Sequence, residues 1–148
     1  MDRKKCFFIG NRNAPSRIKQ QLADVVEKHI IEYGVKIFTV GHYGSFDSLV
    51  KEVLRDAKKL HPEIELYLLA PYALTQKIET PKDFDGIVYP DGMEKVPKLF
   101  AIVQANRYII EQSDYLITYC NFIGNTRNFV KYAQSREKKG LIKVTILN

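Results

Sequence analysis

The sequence predicts an α/β protein with three layers, in which one sheet lies between two layers of helices. Two observations support this prediction. Strand-like apolar runs alternate with amphipathic helical patterns along the 148 residues, and three of those runs end in polar turns that contain glycine. Alternating strands and helices favour a parallel sheet covered on both faces. Because crossover connections are right-handed, we expect a Rossmann-like domain with a mostly parallel, five-stranded sheet in the order 3-2-1-4-5.

Local periodicity predicts the individual elements. The five strands are expected at about residues 5–10, 35–40, 64–69, 115–120 and 141–147. The first helix carries the apolar stripe Ile18, Leu22, Val25, Val26 and Ile30, and it ends near Gly34, which suits a helix C-terminus. The second helix covers about residues 49–60, the third begins near Lys98, and the fourth covers about residues 126–139.

The stretch 71–97 interrupts this alternation. It contains four of the six prolines and little periodicity, although residues 86–89 fit a short strand. A long stretch without regular structure usually has a function. We therefore expect an irregular insert after the third strand, which closes over a ligand or contacts a second subunit. No linker is evident, so residues 1–148 are predicted to form one domain.

The composition argues against several classes of protein. Hydrophobic residues make up 45% and charged residues 27%, as in an ordinary globular chain. No apolar stretch approaches the roughly 20 residues of a membrane span. The basic start at residues 1–5 precedes an apolar run too short for a signal peptide, so we expect a cytoplasmic protein with no membrane partner. Two cysteines and three histidines form no ligand cluster, and we expect no metal and no cofactor.

The net charge of +6 permits attraction to phosphates, either on nucleotides or on nucleic acid. Cationic residues are dense only at Lys4–Lys5, Lys58–Lys59 and in the stretch 136–139. Each of these clusters reads most simply as a solvated helix or strand end. Nucleic-acid binding therefore stays open as the less favoured alternative.

The three glycine-containing turns are the strongest functional signal. Each lies between a strand and a helix, where unpaired N–H groups and the positive end of the helix dipole favour an anionic ligand. In the first turn, Gly10 ends the strand, Asn11 follows it, and Arg12 is suited to paired hydrogen bonds with a phosphate. In the predicted strand order the first and third turns meet at the switch point of the sheet, where such folds bind ligands.

The second turn carries the most polar groups. Gly41 and Gly44 flank His42, Ser45 is a candidate N-cap, and Asp47 lies near the helix start. Asp47 either complements the helix dipole or accepts hydrogen bonds from a ribose or base. His42 and Asp47 are also the two weak candidates for catalytic acid/base chemistry, although a loop histidine is more often simply exposed.

The third turn and the third helix complete the candidate site. Gly124, Asn125 and Thr126 open the fourth helix, and Arg127 adds a cationic donor. Asn106 falls on the apolar stripe of the third helix and needs a hydrogen-bond partner, either in neighbouring backbone or in the ligand cleft beside Arg107. The turns match neither the Walker A loop nor the dinucleotide-binding fingerprint.

Taken together, these segments resemble the SLOG superfamily, which groups the DprA-like, LOG-like and YpsA-like Rossmann proteins. The resemblance covers nearly the whole chain and lies in residues 8–12, 40–47, 105–108, 113–116, 124–127 and 132–133. The second turn and the third helix are closest to the YpsA-like branch. The resemblance implies a domain that binds a nucleotide or a nucleotide-derived ligand, often as a homo-oligomer.

Two departures from the family pattern bear on activity. His42 stands where the second turn of the family commonly has a paired glycine. LOG-like phosphoribohydrolases carry the motif Pro-Gly-Gly-x-Gly-Thr-x-x-Glu, but Phe129 stands three residues after Thr126 in this chain. We therefore expect a sensor or regulatory module. The alternatives are a nucleotide-cleaving hydrolase and a single-stranded nucleic-acid binder.

Overall fold

A computed structural model describes residues 3–41, 44–70, 82–90, 96–120 and 126–148 of the chain. Within these ranges the strands are β1 (Lys4–Gly10), β2 (Val35–Val40), β3 (Glu65–Leu69), β4 (Gly86–Val88), β5 (Tyr115–Tyr119) and β6 (Lys143–Ile146). The helices are α1 (Lys19–Ile31), α2 (Gly44–Leu60), α3 (Lys98–Gln112) and α4 (Thr126–Glu137), with a short 3₁₀ helix at Ser16–Ile18.

All six described strands join one parallel sheet in the order β4-β3-β2-β1-β5-β6. The α/β architecture with a parallel sheet is therefore confirmed. The five predicted strands keep their predicted order. The short strand expected at residues 86–89 is present as β4 outside β3, so the sheet has six described strands, one more than the predicted count of five. This strand lies within the stretch 71–97, so that stretch is not irregular throughout.

Side chains that alternate along the strands build a separate core on each face of the sheet. Phe8 of β1 packs with the buried faces of α1 and α2. Its neighbour Phe7 points to the opposite core, which contains Ala105 of α3 and Ala133 of α4. The period of two in an extended strand produces this division. The helices thus cover both faces, as the three-layer prediction requires.

The strands that border the predicted switch point end nearly level with one another. Gly10 of β1 pairs with Tyr119 of β5, and Phe8 of β1 pairs with Val40 of β2. At the opposite end, the Asp114 carboxylate accepts a hydrogen bond from the Lys5 amide at 2.9 Å, which fixes the register of β1 and β5. The turns that follow β1, β2 and β5 consequently start at the same edge of the sheet.

Candidate functional site

The candidate site lies at the carboxyl ends of β1, β2 and β5. The chain leaves β1 toward α1 on one face and leaves β5 toward α4 on the other face, since the two helices contribute to different cores. This divergence creates the switch point of an open parallel sheet. The polar residues predicted from the three turns are found here where the structure describes them.

The first and second turns are joined directly through Arg12 and Ser45. The carbonyl oxygen of Arg12 accepts hydrogen bonds from the Ser45 amide at 2.7 Å and from the Ser45 hydroxyl at 2.6 Å. Ser45, predicted as an N-cap, instead lies inside the first turn of α2 and uses its side chain to hold the neighbouring loop. Gly44 has a φ of +85°, and a Cβ there would lie 2.7 Å from the Arg12 Cα, so a glycine is needed for both conformation and space.

The first and third turns are joined by two further contacts. The amide of Asn11 donates to the Tyr119 carbonyl oxygen at 3.0 Å. The Thr126 hydroxyl, at the first residue of α4, donates a long hydrogen bond of 3.4 Å to the Gly10 carbonyl oxygen. Three consecutive residues of the first turn, Gly10 to Arg12, therefore connect all three predicted turns.

Two glycines of the site are explained by packing between the turns. A Cβ on Gly10 would lie 2.4 Å from the ring of Phe46, which is fully buried at the start of α2. A Cβ on Gly41 would lie 3.0 Å from a carboxylate oxygen of Asp47. Phe46 was not predicted as part of the site, although it begins the apolar stripe of α2 that continues through Val50, Val53 and Leu54.

The charges at this edge favour an anion near α4 more than near α2. Arg12 and Arg127 are exposed, and the first turn of α4, from Thr126 onward, contains no acidic residue. The first turn of α2 contains Asp47, whose negative charge offsets the helix dipole there. Burial lowers the pKa of Lys51 in α2, and the charge of the half-buried Asp47 offsets part of that lowering.

Asn106 and Arg107 lie apart from the first two turns. Arg107 is nine residues into α3, which corresponds to about 13 Å along the helix from the end nearest the carboxyl edge. The Asn106 amide donates to the Ile102 carbonyl oxygen at 2.7 Å, the first of its two predicted solutions. The Arg107 guanidinium lies over the Tyr132 ring of α4, 5.0 Å from its centre. Arg107 also lines a cavity with Asn128 in the first turn of α4, whereas among the described residues no hydrogen bond or ion pair joins Asn106 or Arg107 to the first two turns.

His42, Gly124 and Asn125 lie outside the described residues. The remaining turn residues predicted for the site, all of them described, lie at the carboxyl edge: Gly10, Asn11, Arg12, Gly41, Gly44, Ser45, Asp47, Thr126 and Arg127.

A comparison of the sequence with models of protein families gives no match, and a comparison with curated proteins gives none either. The functional argument consequently rests on the residues and their geometry.

Other chemistry near the site is limited in the part of the chain that the structure describes. Burial raises the pKa of the Cys120 thiol after β5, and Arg127 offsets part of that rise. A thiol with a raised pKa is a poor nucleophile at neutral pH. No group of three or more His, Cys, Asp or Glu residues among the described ranges could hold a metal ion. None of the described helices combines the length and apolar character needed to cross a membrane.

Two of the three described cavities are lined by residues outside the carboxyl-edge turns, whereas the cavity between α3 and α4 includes Asn128 of the first turn of α4. The largest, about 570 Å³, lies between α1 and α2 and includes Gln20 and Asp56 in its lining. A second, of about 440 Å³, lies between α3 and α4, and a third, of about 270 Å³, lies on the sheet face beside Tyr108. Cavity size alone would favour the α1–α2 groove. We give more weight to the carboxyl edge, because the switch point and the converging polar turns lie there.

Proposed function

We propose that the protein binds a nucleotide or a nucleotide-derived phosphorylated ligand at the carboxyl ends of β1, β2 and β5, as a sensor or regulatory module of the SLOG type. One observation carries the proposal: Gly10, Asn11 and Arg12 are hydrogen-bonded to the start of α4, the end of β5 and the start of α2. A ligand at this point would contact one preorganised surface built from three loops. Such preorganisation reduces the entropic cost of binding.

Each part of the edge has a chemical role in this proposal. Arg12 and Arg127 are exposed guanidinium groups on the first and third turns, and each supplies charge-assisted hydrogen bonds to phosphate. The start of α4 supplies unpaired N–H groups with a favourable dipole. Asp47 is an acceptor for ribose hydroxyls or an amino group of a base. Arg12 and Asp47 are thus expected to bind opposite ends of one ligand.

Isothermal titration calorimetry against mono-, di- and cyclic nucleotides tests the proposal. We expect at least one nucleotide to bind, and Arg12→Gln to weaken its binding by about 10- to 150-fold, the effect of losing one charge-assisted hydrogen bond. Arg55→Gln is the matched control, because Arg55 lies late in α2 and faces Asp83 at 3.8 Å. The proposal would be contradicted if the folded protein bound none of the nucleotides, or if the two substitutions weakened binding equally.

The same samples separate binding from cleavage. Release of free base or ribose phosphate that is lost in Asp47→Asn would establish the nucleotide-cleaving alternative, in which Asp47 acts as acid or base. Binding without any release supports the sensor function. The SLOG resemblance also implies a homo-oligomer, and static light scattering with and without the bound nucleotide measures the subunit number.

A further inference from the structure

The cationic side chains around α1 and α2 are largely neutralised by acidic partners. Six such cations lie within 4.0 Å of a carboxylate oxygen, in the pairs Lys19–Glu52, Lys28–Glu32, Lys36–Glu63, Arg55–Asp83, Lys58–Asp85 and Lys59–Asp56. The two dense basic positions Lys58 and Lys59 belong to this set. This side of the molecule therefore presents little uncompensated positive charge.

The cations of α4 and the turn after it are different. Residues 126–140 contain Arg127, Lys131, Arg136, Lys138 and Lys139 but only one acidic residue, Glu137. Within the described residues, no ion pair involves any of these five cations. Glu137 accepts a hydrogen bond from the Val144 amide at 2.7 Å and so anchors β6. Among the described residues, α4 and the turn after it thus carry five cations that form no ion pair.

Three of these cations form a row. Arg127, Lys131 and Lys138 are exposed, and their spacing of four and then seven residues places them on one side of the helix. The Lys138 amide continues the helical hydrogen bonding to the Gln134 carbonyl oxygen at 3.1 Å. Eleven residues correspond to a length of about 16 Å along the helix axis, enough for the row to follow several consecutive phosphates of one strand.

A groove runs beside this row. It encloses about 440 Å³ between α3 and α4, and Arg107 and Lys131 line it from opposite helices. The guanidinium of Arg107 lies over the ring of Tyr132, which also lines the groove. The Tyr132 hydroxyl donates a hydrogen bond to the carboxylate of Glu111, which is the acidic residue of α3 nearest to the groove. The groove therefore combines unpaired cations with a planar aromatic and guanidinium pair.

We propose that the α4 row and the adjoining groove bind a single strand of nucleic acid. Phosphates contact Lys131 and Lys138, and a base stacks on the Arg107–Tyr132 pair, the combination by which single strands are held without sequence preference. A single row of cations fits one phosphate backbone, whereas a duplex presents two. Arg127 belongs both to this row and to the carboxyl-edge site, whereas Lys131, Lys138 and Tyr132 belong only to this surface. The proposal therefore does not depend on nucleotide binding at the carboxyl edge.

Fluorescence anisotropy with labelled oligo(dT) across a salt series from about 50 to 200 mM tests the proposal. We expect binding at low salt that weakens linearly on a log–log plot. The double variant Lys131→Gln/Lys138→Gln should reduce the magnitude of the slope by about 1.4, which is about 0.7 for each phosphate contact to a single strand. The charge-preserving variant Lys131→Arg/Lys138→Arg should retain binding.

The matched control is Lys28→Gln/Lys59→Gln, which removes the same charge from cations that are already paired with Glu32 and Asp56. Equal losses in the two glutamine doubles would overturn the proposal, because net charge alone would then explain the binding. Absence of binding at the lowest salt by protein with a native circular dichroism spectrum would also overturn it. So would equally tight binding of polyglutamate with the same dependence on Lys131 and Lys138, since the surface would then recognise acidic polypeptides.

Discussion

At the end of β1, Gly10 lies directly against the ring of Phe46. Two ring carbons of Phe46 lie 2.4 Å from the position that a Cβ on Gly10 would occupy. Glycine in such a turn is commonly explained by the approach of a ligand. Here the close approach is made by a side chain of the protein itself. Gly10 therefore allows α2 to pack closely on β1, and in this way it positions Ser45 and Asp47.

Gly10→Ala should destabilise the protein by about 1–3 kcal/mol, because the added methyl group overpacks a closed site. Phe46→Leu should itself be destabilising, but in its background Gly10→Ala should cost less, giving a measurable coupling in a double-mutant cycle. Urea unfolding of the four proteins provides the measurement. If the losses in the free energy of unfolding for Gly10→Ala and Phe46→Leu add in the double variant, the ring and the new methyl group do not collide.

Gly86→Ala is the matched control, since Gly86 is also in a strand but its Cβ would meet the nearest atom, of Tyr67, at 3.4 Å. That distance is an ordinary contact, so we expect a change within about 0.5 kcal/mol. A loss at Gly86 as large as that at Gly10 would indicate a general cost of alanine in these strands.

Residue identities alone could predict several polar groups of the edge but not their partners. The order Gly10, Asn11, Arg12 after a strand indicates a turn, and this places Arg12 at the carboxyl edge. That the Arg12 carbonyl would accept both donors of Ser45 depends on how closely α2 approaches β1. Asn106 shows the same limit, because an amide on an apolar stripe can be satisfied by its own helix or by a ligand, and its contact with Ile102 decides between them.

At the scale of elements, β4 has the weakest sequence pattern of the described strands, although a short strand was expected at residues 86–89. It has three residues, Gly86–Val88, too few to show the alternation that identifies a half-buried strand. Contacts outside the strand hold it. The Asp85 carboxylate accepts hydrogen bonds from the Leu66 amide at 2.8 Å and from the Lys58 ammonium at 3.0 Å, which joins β4, β3 and α2. By contrast, the five longer strands were predicted in the correct order because each has its own apolar pattern.

Asp85→Ala should destabilise the protein by about 1–3 kcal/mol, since it leaves the buried Leu66 amide without its carboxylate acceptor. Burial tends to raise the pKa of Asp85, but the Leu66 amide and the Lys58 ammonium outweigh it, so the pKa is lowered and the carboxylate is ionised at neutral pH. Relative to the wild type, Asp85→Ala should show faster amide hydrogen exchange in β3 and β4, with a smaller change in β5 and β6.

Asp83→Ala is the control, because Asp83 is two residues away and its contact with Arg55, at 3.8 Å, is exposed. Such surface pairs contribute about 0–1 kcal/mol. If both alanine variants lose the same stability, the carboxylate of Asp85 does not hold β4 in place.

At the scale of the whole molecule, ionisable groups are arranged very differently at the two ends of the sheet. The carboxyl edge presents the exposed guanidinium groups of Arg12 and Arg127. Near the amino ends of β5 and β6, His29 of α1 is 1% exposed between the rings of Tyr33 and Tyr115, whose centres lie 4.9 and 5.2 Å from its own. The ionisable groups of the first edge are exposed to solvent, whereas the titratable ring near the second is buried among aromatic side chains.

The chemistry around His29 disfavours its charged form. Its Nδ1 bonds the Val25 carbonyl oxygen at 2.7 Å, and its buried Nε2 has no hydrogen-bond partner among the described residues. Burial lowers the pKa of His29 below its ordinary value of 6.5. The Val25 carbonyl acts in the opposite direction, and the charges of Lys143 and Lys28 lower the pKa further. The neutral ring, with its proton on Nδ1, is the form that fits the folded protein.

Stability should therefore fall as the pH is lowered through about 6.5, because the unfolded chain then binds a proton that folded His29 resists. Because folding lowers the pKa of His29, its contribution to the free energy of unfolding is fully present above the pKa of the unfolded chain and is lost on acidification. Urea unfolding at pH 7.5 and at pH 5.5 should give a smaller difference in His29→Phe than in the wild type, since phenylalanine fills the aromatic site without titrating. The control His61→Gln replaces a ring that bonds the Glu27 carboxylate at 2.9 Å, and it should retain the loss caused by His29. Equal pH dependence in the wild type and in His29→Phe would show that another group controls the acid stability of the fold.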